Sequence, residues 1–202
     1  EFDILIRRNE ALSIVRKVLQ RQEKSFSEGV FPIDPFGFPT SFHGSDSATE
    51  VDSVKLYGSG KVTWVPESDV SKNRDIIDSW KVLVARATDG NEVYPLPIWD
   101  LKGPFIAGPR EVCSWTYLIA RVAKTESEAL SISNYMRTRF FRFLVWLRKP
   151  TQDNKADNFA FVPLQDWSLD ITDEYLFAKY DFSEDETSFI KSMIRSMESN
   201  GE

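Results

Sequence analysis

The stretch Phe140 to Leu147 constrains this chain most: Phe-Phe-Arg-Phe-Leu-Val-Trp-Leu contains one charged residue, Arg142. It is far short of the ~20 apolar residues that a membrane span requires, so its phenylalanines and leucines are expected to pack inward. The stretch continues a helical pattern. Thr125-Glu126-Ser127-Glu128 opens that helix, with Thr125 and Glu128 spaced as a capping box. Ala129, Leu130, Ile132, Tyr135 and Met136 then supply an apolar face. The helix is predicted to run, with a kink, to about Leu147, and Pro150 ends the region. Arg137, Arg139, Arg142, Arg148 and Lys149 lie in it or just beyond it. Either they cover its solvent face, or Arg137 and Arg142 reach a nucleic acid.

The remaining elements mix helix and strand signals. Asn9 to Lys24 reads as a helix with Leu12, Val15 and Leu19 on one face. Residues 25–50 interleave Pro32, Pro35 and Pro39 with Phe31, Phe36, Phe38 and Phe42, which predicts a loop held against the body. Val54 to Tyr57 and Val62 to Val65 flank Gly58-Ser59-Gly60-Lys61, a hairpin with a lysine at its tip. Trp80 to Ala85, Val112 to Val122 and Phe159 to Leu164 are predicted strands, with shorter fragments between Tyr94 and Ile106. A final helix starts near Ser183, where Glu186 completes a second capping box. No regular βαβ alternation is present, so the expected class is α+β, a mixed sheet with packed helices. Two parts are expected: residues 1–50, a helix and a Pro/Phe-rich segment packed on the body, and residues 51–202, the main domain.

The single Cys and single His exclude a disulfide framework and a Cys/His zinc site assembled within these 202 residues. Cys113 amid apolar neighbours suits a reducing, cytoplasmic setting. Ile4 to Ile6 is too short for a signal-peptide core, and the opening at Glu1 reads as mid-protein, so an excised part of a longer protein is expected. The net charge of -6 argues against a generic nucleic-acid binder. Its distribution is uneven, however. Residues 102–163 carry 10 basic against 5 acidic residues, a net +5, whereas residues 164–202 carry 3 against 10, a net -7. Six of those ten cations are arginines, the side chain best suited to bidentate contacts with phosphate or guanine.

Gly60-Lys61 at the hairpin tip lacks the other parts of a phosphate loop, because Lys55 and Val62 occupy the positions that need Gly and Ser or Thr. Asp89, Asp100 and Lys102 fit the loose pattern of a Mg²⁺-dependent nuclease, with two carboxylates for the metal and a lysine to polarise water. His43 has no nucleophile elbow beside it, and Cys113 reads as a small buried side chain. Lys149-Pro150-Thr151-Gln152-Asp153-Asn154-Lys155 concentrates amide and lysine groups that can read base edges or grip phosphates, between two apolar elements. A merely solvated loop has the same composition.

From about Val54 onward the chain resembles the C-terminal target-recognition region of type IIG-like restriction–modification proteins built around an N6-adenine DNA methyltransferase. Trp80-Lys81-Val82-Leu83 and Val112-Cys113-Ser114-Trp115-Thr116-Tyr117-Leu118 carry the likeness, as does Asn134 to Leu144 running into Leu147-Arg148-Lys149-Pro150-Thr151-Gln152. Phe161 to Trp167, Thr172 to Leu176 and the tail from Tyr180 to Ile194 follow in order, and Asp34 to Thr40 is similar to a segment that precedes the region. Ser114-Trp115 departs from the pattern, where smaller or acidic residues are expected.

The resemblance implies a target-recognition-domain-like fold and a division of labour. The methyltransferase core of such proteins carries an Asn-Pro-Pro-Tyr type motif and a Gly-rich S-adenosylmethionine site, and this chain has no Pro-Pro pair. The expectation is therefore a non-enzymatic module without its own cofactor. S-adenosylmethionine, and Mg²⁺ if the parent also cleaves, would belong to the catalytic domain of the same parent chain. The expected partner is double-stranded DNA, contacted through Ser59, Lys61, Arg86, Arg110, Lys149, Gln152, Asn154 and Lys155. Two alternatives stay open: a nuclease using Asp89, Asp100 and Lys102, and a protein-interaction module that never touches DNA.

Overall fold

The computed structural model describes residues 8–48, 51–87, 94–99, 103–149 and 151–197. Its class is α+β, with two small sheets and packed helices. The predicted hairpin forms: β1 (Ser53–Tyr57) pairs antiparallel with β2 (Val62–Pro66), in a register that sets Tyr57 opposite Val62. Gly60 closes the turn at φ +68°, a left-handed conformation that glycine adopts without steric penalty. A second sheet is built from β3 (Trp80–Ala85), flanked by β4 (Phe105–Ala107) and β6 (Tyr117–Ala123), both antiparallel to it.

The single strand expected over Val112 to Val122 is two strands in different sheets. β5 (Glu111–Cys113) joins β1 in parallel, with Tyr57 opposite Cys113, before the chain crosses to β6. The crossing turns on Ser114, whose hydroxyl accepts the Thr116 N–H at 3.3 Å while its carbonyl accepts the Tyr117 N–H at 3.1 Å. Such a local serine turn diverts the backbone from the ladder.

Five α-helices are present among the described residues. The long helix expected to Leu147 is two, α1 being Glu10–Leu19, α2 Glu126–Arg137 and α3 Arg139–Arg148. Thr138 separates α2 from α3 at φ -60°, ψ 150°, and its hydroxyl accepts the Phe141 N–H at 3.1 Å as the N-cap of α3. At Thr125 the expected reciprocal cap is shifted: Thr125 receives the Glu128 N–H, while the Glu128 carboxylate takes the Lys124 N–H at 2.8 Å. α4 (Asp173–Lys179) was not expected, and α5 (Glu184–Met193) begins at the predicted Ser183–Glu186 capping box. The strand expected over Phe159 to Leu164 is instead the end of a 3-10 turn and an irregular segment with one bridge, Pro163 to Ser25. Proline has no N–H to give a ladder.

Strand alternation layers the molecule. Val82 and Val84 of β3, with Leu118 and Ala120 of β6, pack into a core shared with all the helices. Leu83 and Ile119 face the other way, onto Val54 and Leu56 of β1, with Phe36 and Phe38 completing that second core. The second sheet thus lies between the helices and the first sheet, and Phe36 and Phe38 of the Pro/Phe-rich segment are buried in the second core.

α3 is buried along its length from Phe140 to Arg148. Phe141 meets Phe26 and Tyr135 edge-on at 5.0 and 4.9 Å, and Phe140 stacks on Tyr180 at 5.0 Å. Arg142 has zero exposure, so both readings of it, solvent face and nucleic-acid contact, are corrected. Its Nε donates to the carbonyls of Arg137 (3.0 Å) and Thr138 (3.2 Å), and its Nη1 to Pro97 (3.0 Å). It therefore satisfies the Arg137 carbonyl, left open where α2 ends, and ties the α2–α3 junction to Pro97. Arg148 is likewise buried; it bonds to Asp157 at 2.9 Å and lies over the Phe161 ring.

Candidate nucleic-acid interface

Strand direction decides which of the expected contact residues share a surface. The β1–β2 tip follows Tyr57, and the Tyr57 carbonyl accepts the Ser114 N–H at 3.0 Å, which places the 114–116 turn beside the tip. Across the second sheet, Ala85 pairs with Tyr117 and the Arg86 N–H donates to Thr116 at 2.9 Å. Residues 151–155 then join the same end, since Ala87 bridges Asp153 and the Asn154 N–H donates to the Arg86 carbonyl at 2.6 Å. Ser59, Lys61, Arg86, Gln152, Asn154 and Lys155 are brought to one end by these connections, whereas Lys149 is the C-cap of α3.

Arg110 is not. It precedes β5, at the opposite end of β1, about 13 Å away by strand rise, where its backbone accepts from Lys55. Its guanidinium is engaged by Glu67 at 2.7 Å.

Within the shared end the roles diverge. Ser59, Lys61, Gln152 and Lys155 are exposed. Lys61 forms an ion pair with Asp46, whose carboxyl is held below its usual range by that contact. Arg86 is half-buried; its Nε donates to the Trp115 carbonyl at 3.1 Å, and its Nη1 lies 3.9 Å from Asp153. Burial pushes the Lys149 ammonium down to about 8, with Asp153 opposing the shift.

Asn154 has zero exposure, and its amide nitrogen donates to the Ala85 carbonyl at 2.8 Å, while its Oδ1 has no partner among the described residues. A side chain so placed tethers the loop to β3 and offers nothing to a base edge. Asn154→Ala is expected to speed amide exchange across residues 151–155 and to lower Tm by about 2–4 °C, the effect of one hydrogen bond in a chain this size. Unchanged exchange in that loop would contradict the tether.

Neither protein-family models nor curated proteins match this chain.

The local charge is balanced more closely than the sequence count suggests. Of the basic block, Arg142 and Arg148 lie in the core, Arg110 is bound to Glu67, and Arg121 donates to the Phe26 carbonyl at 3.0 Å and lies over the Phe26 ring. Asp46 and Asp153 stand beside Lys61 and Arg86.

Asp89, Asp100 and Lys102 lie outside the described residues. Cys113 is fully buried and its thiol is pushed well up by desolvation, as a structural cysteine requires. His43 is exposed on the loop that precedes β1. Sequence reasoning missed Trp115, which it placed inside a strand; it is exposed on the 114–116 turn, between Arg86 and the hairpin tip. A serine preceding a tryptophan that breaks strand alternation was the available signal.

Proposed function

We propose that this chain is a DNA target-recognition module that binds double-stranded DNA through the end carrying Ser59, Lys61, Arg86, Gln152 and Lys155. It performs no chemistry itself. The catalytic methyltransferase domain of the same parent, with its S-adenosylmethionine, acts on an adenine that this module helps to position. Its setting is the cytoplasm; among the described residues no helix is long and apolar enough to cross a membrane.

The observation that carries the reading is the convergence of loops from three distant parts of the sequence onto one end, each held by backbone bonds to its neighbour. Rigidly held loops with outward cations and amides are what groove recognition needs. The near-balance of charge at that end suits a protein that gains its affinity from base contacts, with few phosphates neutralised.

Low-salt selection from a random duplex pool tests this. The wild-type chain is expected to enrich a motif of several base pairs, and Arg86→Ala to bind the enriched duplex about tenfold more weakly, the loss of one good base contact. The salt dependence is expected to be shallow, reflecting a few phosphates. No duplex binding at all by the folded chain would overturn the proposal.

A further inference from the structure

Trp115 is 39% exposed, yet its backbone is held at both its N–H and its carbonyl. Its N–H donates to the Phe38 carbonyl at 2.9 Å and its carbonyl receives Arg86 Nε at 3.1 Å. On either side, Ser114 is bonded to Tyr57 and Thr116 to Arg86. Three separate elements thus fix the turn, so the indole is presented from a rigid base and gives up little freedom when it makes a contact.

Its surroundings narrow the class of contact. Val62, 45% exposed, follows Lys61 and stands opposite Tyr57 in the hairpin, the residue whose carbonyl holds the 114–116 turn. The backbone order at this end thus runs from Lys61 and Val62 of the hairpin, through Tyr57, to Trp115 and Arg86, so an exposed aliphatic and an exposed aromatic residue stand in the chain of contacts between two cations. Aromatic platforms alternating with cations are suited to a nucleobase flanked by phosphates, since each base offers a π-face and each phosphate a charge. In an intact duplex those faces are covered by stacking, and a side chain reaches them only by opening a base step.

We infer that Trp115 stacks on a nucleobase at a locally unstacked step of the duplex, so that the module distorts its target as well as reading it. This rests on the DNA-binding reading above. It predicts a selectivity that no purely structural tryptophan would produce: duplexes in which unstacking is already cheap bind more tightly.

The test uses the duplex enriched from the random pool, together with copies carrying a single mismatch or abasic site scanned through it. The wild-type chain is expected to bind one of the mismatched copies about tenfold more tightly than the matched duplex. Trp115→Ala is expected to lose that preference and Trp115→Phe, which keeps an aromatic face, to retain most of it. A preference that persists in Trp115→Ala, or that never appears in the wild type, overturns the inference while an enriched motif still supports DNA reading. Failure of the wild type to bind any duplex overturns both. Loss in Trp115→Ala of affinity for the methyltransferase domain alone, with DNA binding intact, assigns the indole to a protein contact and likewise overturns it.

Discussion

Arg142→Ala is expected to destabilise the fold by about 3–5 kcal/mol, the range for emptying a buried charged position whose partners stay behind. The variant removes a fully buried side chain and takes the donors from the carbonyls of Arg137 and Pro97 at once, while the Thr138 carbonyl keeps the backbone N–H of residue 142 at 3.3 Å. The Arg137 carbonyl is the group left open where α2 stops and α3 starts. The neighbouring Asp173 makes the junction two-sided: its carboxylate accepts the N–H groups of Arg139 and Phe140 at 3.0 and 2.9 Å. Burial lowers the Arg142 pKa to about 10 and raises that of Asp173, and each charge opposes the other's shift. Thermal unfolding should show a drop in Tm on the order of 10 °C. A change of under about 2 °C would mean that the junction relaxes without this arginine.

A comparably large effect is expected in the pH dependence that Lys81 imposes. This lysine has zero exposure on β3, and its ammonium donates to the carbonyls of Ile76, Ile77, Ser79 and Gly108 at 2.5 to 3.3 Å. Burial pushes its pKa from 10.5 down to about 8, against the pull of Cys113, Glu111 and Asp78. Between those two values the unfolded chain binds a proton that the folded chain has released, so stability rises with pH across that window. Comparison with Lys81→Met isolates the effect from the other titrating groups. The wild type should gain on the variant by up to about 3 kcal/mol between pH 8 and the ordinary lysine range, as the shift in pKa requires. The four carbonyls hold the ammonium's protons and limit that gain. A relative loss of wild-type stability over the same interval would refute the account.

Where local chemistry decided the outcome, the sequence was legible. The Gly58–Lys61 tip, the Ser183–Glu186 cap and the phenylalanines at 36 and 38 all act through neighbours close in sequence or through plain apolarity. Arg142 was misread because helical periodicity assigns a charged residue to a wet face, and only the packing of α4, α5 and the 3-10 turn around α3 leaves no such face. The division of residues 111–123 between two sheets depended on Ser114, whose turn competes with an apolar run that favours continued strand. α4 was missed because seven residues give too little periodicity to detect. At the candidate interface, the 149–155 loop was singled out by composition alone. The burial of Asn154 and the remoteness of Arg110 follow from strand pairing, which spacing in the sequence does not encode.

The way the 149–155 loop is anchored separates support from message. Its hold on β3 and the two residues after it includes the Ala87–Asp153 bridge, the Asn154 N–H on Arg86 and one inward amide on Ala85. None of these bonds uses the outward side chains of Thr151, Gln152 or Lys155. On the DNA-binding reading proposed above, the exposed Thr151 and Lys155 can therefore be changed while the backbone bracket beneath them stays fixed, so they are the positions at which a change of specificity would cost the core least.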